Sequence, residues 1–163
     1  MGMAPADAAR LVEIRSLDLD ALRPVIDRVT RLARRASGAA HAYVVLVEED
    51  HVWHSGFEGM PEHVGELDQS TTARHIDDNE TLWAQDLATD WPDHAWVASA
   101  PHARGYANAP IQIGAGLRLG GLCLIFSDPT PRDETIVATL NDLAALLAES
   151  IGRLRSQRRT EIA

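Results

Sequence analysis

The sequence predicts an α+β fold in which a largely antiparallel sheet carries helices on it. Three observations predict it. Apolar runs of strand length are joined by short turns, as in residues 43–55 and 104–127. A long C-terminal segment repeats apolar residues at helical spacing. Between these lies an aperiodic stretch, residues 86–101, that holds Trp91 and Trp96. The first and last helices are expected to share one face of the sheet, with the irregular middle covering the other.

Bulk properties narrow the function classes. A chain of 163 residues is one domain by the usual size prior. Its net charge of −9 argues against a nucleic-acid binder and against binding to an anionic membrane surface. One cysteine, Cys123, excludes an internal disulfide and suits a reducing compartment. No apolar run approaches the ~20 residues of a membrane span, and the first residues lack a signal-peptide pattern. A cytoplasmic location is expected.

Residues 1–7 are expected to be flexible, residues 8–155 to form the domain and residues 156–163 a tail. Asp7 is placed to cap a short helix carrying Leu11, Val12 and Ile14. Asp20 reads as the cap of a second helix, with Leu22, Val25, Ile26, Val29, Leu32, Ala33 and Ala36 on its buried face and Gly38 as its stop. Arg28, Arg31, Arg34 and Arg35 read as its solvated side rather than a basic partner site. Tyr43 to Val47 is a central strand, and residues 51–55 return as its hairpin partner. Residues 56–70 are rich in glycine and acids and read as a long irregular connection. Ser70 or Thr71 starts a short helix, residues 81–85 form a short strand, and one helical turn falls within 92–98.

Residues 104–113 and 117–127 are two long strands. Gly114 and Gly116 supply the positive-φ positions of the loop between them. Thr130 is the expected cap of the last helix, with Pro131 at its first position and Asp133 three residues after the cap. From there Ile136, Leu140, Leu143, Leu147, Ile151 and Leu154 form one apolar stripe, which must meet either the sheet or a partner helix.

Several of these residues carry a family resemblance. Asp27 to Ala33 (DRVTRLA) followed by YVVLV-EED-HVW is similar to the opening of bacterial GAF domains. The segment Asp86…Asp90…Pro101-His102-Ala103-Arg104-Gly105-Tyr106-Ala107-Asn108-Ala109-Pro110 resembles that family's strand entry. Leu119 to Ile125, then Pro129 and Pro131-Arg132, resembles its last strand and exit. The resemblance implies a sheet of five or six antiparallel strands, terminal helices on one face, and a small-molecule pocket under loops and short helices on the other. It also implies a non-catalytic sensory role and pairing through the terminal helices. Leu140, Leu143, Leu147, Ile151 and Leu154 are then the expected homodimer stripe, and a histidine kinase or other signalling protein the expected partner. The chain departs from the family where Thr72-Ala73-Arg74-His75 replaces a Cys and His two apart, and where Gly105 replaces an aromatic residue.

Catalytic and metal constellations are weak. Cys123 lies in an apolar strand and reads as an inert thiol. Free methionine sulfoxide reduction, known in some GAF domains, resolves through a second thiol that this chain lacks. His51 and His54 fall on opposite faces of a strand and cannot share an ion. His75 with Asp77, Asp78 and Glu80 matches no calcium-loop spacing. Asp90, Asp93, His94 and His102 are explained by loop capping and surface histidines. The Gly114 and Gly120-Gly121 glycines do not open a helix, so no phosphate cradle is implied. A haem held by His75 or His102 would rest on one histidine without a binding motif. The informative oddity is tryptophan, which supplies four of the eight aromatic residues. Trp83, Trp91 and Trp96, with His75, His102, Tyr106 and Asn108, are the candidate lining of a pocket for an unidentified small molecule. A pocketless protein–protein interaction module is the alternative, and a small enzyme the third reading.

Overall fold

The computed structural model describes residues 5–58, 64–66 and 70–162. Two helices come first, α1 (Pro5–Arg15) and α2 (Leu19–Ser37), followed by strands β1 (His41–Val47), β2 (His51–Glu58) and β3 (Val64–Glu66). Next are α3 (Thr71–Arg74), β4 (Leu82–Ala84), α4 (Leu87–Asp90) and α5 (Ala95–Ser99). The chain closes with β5 (Gly105–Ile113), β6 (Leu117–Phe126) and α6 (Glu134–Ile162). The first four residues of the expected flexible start, and parts of the expected irregular connection, lie outside the described residues.

The six strands form one antiparallel sheet in the order β3-β2-β1-β6-β5-β4. Its centre is the β1–β6 pair, with Tyr43 opposite Cys123 and Val44 opposite Leu122. Period-two alternation then sorts two cores. Val44, Leu46, Ala107, Ala109, Ile111, Leu122 and Leu124 face the helices. Tyr43, Val45, Val47, Tyr106, Cys123 and Ile125 face the loop side. Both faces are covered, which explains why β1 and β6 read as continuous apolar runs rather than alternating ones.

Alternation breaks in the β1–β2 pair, between Ala42 and Val44, and again in the β5–β6 hairpin. Ile111 pairs with Gly120 but Gln112 pairs with Arg118, so Leu119 is the extra residue of a bulge. Leu119 joins the helix-side core, and Arg118, which strict alternation would place there, turns to the loop side. Gly120 is obligatory at this crossing: a Cβ on it would lie 1.7 Å from the Val45 carbonyl oxygen.

The three long helices pack on one face as expected. The α2 cap is Asp18 rather than Asp20, its side chain accepting from the Ala21 N–H at 3.1 Å. Pro24 therefore sits inside the helix. Gly38 ends it at φ 73°. The α6 cap is Asp133, which accepts from the Thr135 and Ile136 N–H groups at 2.8 and 3.3 Å. Thr130 instead bonds back to Asp128, because the chain needs Thr130 to join β4: its N–H donates to the Gln85 carbonyl.

Two expectations about α6 are corrected. Helix continues to Ile162, beyond the expected boundary at 155, where Arg155 pairs with Glu13 at 3.0 Å and Arg158 donates to the Ser16 carbonyl at 2.8 Å. Leu140, Leu143, Leu147 and Ile151 are spent on the chain's own core against the sheet and α2, so they are not free to face a second copy. Leu154 is partly buried against the same core. By length and composition α6 could cross a membrane, yet this packed stripe is what makes it apolar. Leu146, 51% exposed, and Ile162, 80% exposed near the end of the helix, are its outward large apolar side chains among the described residues. On α1, Leu11 and Ile14 are buried while Val12 is 67% exposed.

Candidate functional site

Three short helices build the loop side. Ser70 caps α3 through the Ala73 N–H, which sets Thr71 and Thr72 inward and buried. Asp86 caps α4, accepting from the Ala88 N–H at 3.2 Å, and Arg104 grips both of its carboxylate oxygens at 3.1 and 2.8 Å. That bidentate pair holds the Asp86 carboxyl below the usual carboxylate range, chiefly through the Arg104 hydrogen bond. His94 caps α5, its Nδ1 accepting the Trp96 N–H at 3.1 Å. A ring nitrogen that accepts from an amide is unprotonated, so the proton sits on Nε2 and is donated to Thr71 Oγ1 at 2.7 Å. Burial, then the nearby Arg74 charge, pushes the His94 pKa down and keeps the ring neutral.

These caps assemble a chain of rings. Trp91 stacks between His75 and His94 at centroid distances of 6.3 and 6.2 Å. Trp96 meets His94 edge-on at 5.1 Å, and both indoles rest against Tyr106 at 5.9 Å. The tryptophans and His94 are half-buried, so the cluster presents ring surface outward while Tyr106 forms its floor.

Beneath the rings lies a closed polar network. The Asn108 carboxamide nitrogen donates to Thr72 Oγ1 at 2.7 Å and to the Tyr106 hydroxyl at 2.9 Å. Its oxygen accepts from Arg118 Nη2 at 3.1 Å. Arg118 is 3% exposed, and its other donors reach the Gly120, His75 and Asp78 carbonyls at 3.0, 2.6 and 2.6 Å. This guanidinium thereby ties the turn after α3 to the sheet. Cys123 contacts the Tyr106 hydroxyl at 3.5 Å and Thr72 Oγ1 at 3.8 Å. Burial pushes the Cys123 thiol and the Tyr43 and Tyr106 phenols upward, so all three stay neutral. A neutral, enclosed thiol is a poor nucleophile.

Of the candidate lining residues, the structure unites His75, Trp91, Trp96, Tyr106 and Asn108. Asn108 is fully buried with its donors and acceptor committed, so it supports the site rather than lining an opening. Trp83 is on the opposite face: its ring packs on Phe126 at 5.6 Å and its N–H donates to the Thr130 carbonyl at 2.8 Å. Strand parity explains this, since Trp83 pairs with helix-facing Ala107. His102 is exposed and makes none of the ring contacts of the cluster. Sequence reasoning missed Thr71, Thr72 and Arg118. The two threonines carried a signal in the expected cap at residue 70, whereas Arg118 carried none, because only the bulge turns it inward. Among the described residues no group of three or more His, Cys, Asp or Glu is placed to hold a metal ion.

Comparison with known proteins follows the same outline. The family model described as GAF domain matches residues 21–151. A cyclic di-GMP phosphodiesterase of Pseudomonas aeruginosa is 42% identical over 65 residues, a match covering 39% of this chain and 11% of that protein. The GAF domain of an Acinetobacter phosphoenolpyruvate-protein phosphotransferase superposes with a TM-score of 0.71 at 14% identity, covering 94% of this chain and 97% of that one. A free methionine-R-sulfoxide reductase from Neisseria meningitidis, solved with its substrate, gives 0.66 at 17% identity over 98% and 96%.

Proposed function

Because the chain belongs to the GAF domain family, whose members are generally sensory and regulatory, we propose that it senses a planar small molecule laid against the Trp91–Trp96 ring surface. The observation that carries this is the ring cluster itself: two half-buried indoles, two imidazoles and a phenol in mutual contact on the face opposite the long helices. Such surface rewards flat ligands by stacking and costs little side-chain entropy to organise. Ligand binding orders the 86–103 segment and shifts the population of its docked state. The route outward runs through two ties. The Leu87 N–H donates to the Arg104 carbonyl at 2.7 Å, and the Trp83 and Gln85 bonds to Thr130 link β4 to the lead-in of α6.

Tryptophan fluorescence and thermal melts across a panel of planar metabolites test the reading. At least one compound is expected to quench fluorescence and raise the melting temperature, and Trp91→Ala to abolish both effects. Indifference to the whole panel would sink it.

A second reading is favoured by the solid floor under the rings. There, the chain is a signalling interaction module that works through its helices, either with a second copy or with a kinase or other regulator. Its contact would use the outer side of α6 at Leu146, since the inner stripe is committed to the core. Leu146→Glu is then expected to abolish association without altering fluorescence responses.

A further inference from the structure

A cleft of about 580 Å³ lies on the far edge of the sheet from β3 and is separate from the ring cluster. It exists because β4 is short. β4 pairs with β5 only from Tyr106 to Asn108, which leaves the outer edge of β5 open beside α6 from Pro110 onward. Pro110 brings no N–H to that edge, so an incoming β-strand finds a broken ladder there. The volume instead falls in the range of small-molecule sites.

The polar groups around it are pre-oriented by their neighbours. The Thr81 hydroxyl donates to Asn141 Oδ1 at 2.7 Å, which leaves the Asn141 amino group unengaged among the described residues. Gln112 donates its amino group to Asn79, which leaves the Gln112 carbonyl oxygen as an acceptor. Arg132 gives Nε to Glu134 at 2.6 Å and Nη1 to the Thr81 carbonyl at 3.4 Å, which leaves its second terminal amino group uncommitted among the described residues. Glu80 completes the rim with a carboxylate. The floor is apolar, with Pro110, Val137 and Ala144.

One guanidinium and one carboxylate, with an amide donor and an amide acceptor, match a ligand that carries both charges. We propose that this cleft binds a free α-amino acid. Its carboxylate is taken by Arg132 and Asn141, its ammonium by Glu80 and the Gln112 oxygen, and its side chain lies over Pro110 and Val137. A zwitterion also escapes the long-range repulsion that a chain of net charge −9 exerts on a simple anion.

An NMR titration of the full chain with the proteinogenic amino acids tests this, with propionate and propylamine as probes bearing a single charge. For at least one amino acid, saturating shifts are expected at the amides of 79–81, 111–112 and 137–145, with both single-charge probes at least tenfold weaker. Arg132→Gln and Glu80→Gln, both exposed positions, should each weaken binding at least tenfold, whereas Trp91→Ala should leave it unchanged. The proposal is overturned if no amino acid saturates those shifts, if propionate reproduces them, or if Arg132→Gln has no effect. Because Trp91 belongs to the other site, this outcome is independent of the planar-ligand reading.

Discussion

At the scale of single residues, the site is governed by protonation and by close approach. His94 is held neutral in the folded chain, with its pKa below the ordinary histidine value of 6.5. The unfolded chain therefore takes up the proton first as pH falls, and stability rises with pH through that window. Its share of stability is complete above about pH 6.5 and is lost as the solution is acidified below it. His94→Asn keeps a capping acceptor but removes the titration. Melting temperatures measured from pH 7.5 to 5.5 should fall less steeply in the variant than in the parent, and equal slopes would refute the assignment. Gly120 illustrates close approach. Its missing side chain lets β6 lie against the Val45 carbonyl, and backbone on both sides has nowhere to retreat. Gly120→Ala should lower the denaturation free energy by about 3 kcal/mol or more, read from urea melts. A loss under about 1 kcal/mol would mean that the strands can separate locally.

At the scale of elements, what was legible in the sequence follows from periodicity. The positions of α2, β1, β5, β6 and α6 came from apolar spacing and from Gly38, Gly114 and Gly116, whose positive φ values the structure bears out. Caps were less legible. Asp18 and Asp20 are both good caps by type, and the choice depends on where Leu22 must land to reach the core, which is a tertiary fact. Asp18→Ala should cost about 1 kcal/mol, while Asp20→Ala should cost only a few tenths; parallel melts of the two variants decide between them. The Trp-rich segment showed no period because its helices, α4 and α5, run only four and five residues. Each is fixed by its own cap and by ring contacts rather than by an amphipathic stripe. Trp83 was assigned to the wrong face for want of a strand register. Arg118 was invisible for a related reason: a bulge has no signature in alternating apolarity.

For the whole molecule, one sheet separates two differently built halves. The helix side is a continuous apolar core that decides stability. The loop side mixes rings with a fully bonded polar network that suits recognition. The contrast between neighbours on α6 makes this measurable. Leu147, 1% exposed, sits in the helix-side core, so Leu147→Ala should cost about 2–5 kcal/mol by calorimetry or chemical denaturation. Leu146→Glu, one position along on the outer side, should change stability by no more than about 0.5 kcal/mol. Similar losses from both would mean that the outer side is also covered.

The clasp formed by Glu13 with Arg155 and by Ser16 with Arg158 has a mechanical corollary. It joins the opening and closing helices directly, without passing through the β-layer. A rotation imposed on either is thus felt by the other at once, and a neighbour attached to one would pull on both. The two tips form a single handle, and under the proposed function a ligand at the ring cluster would act on that handle from the opposite side of the sheet.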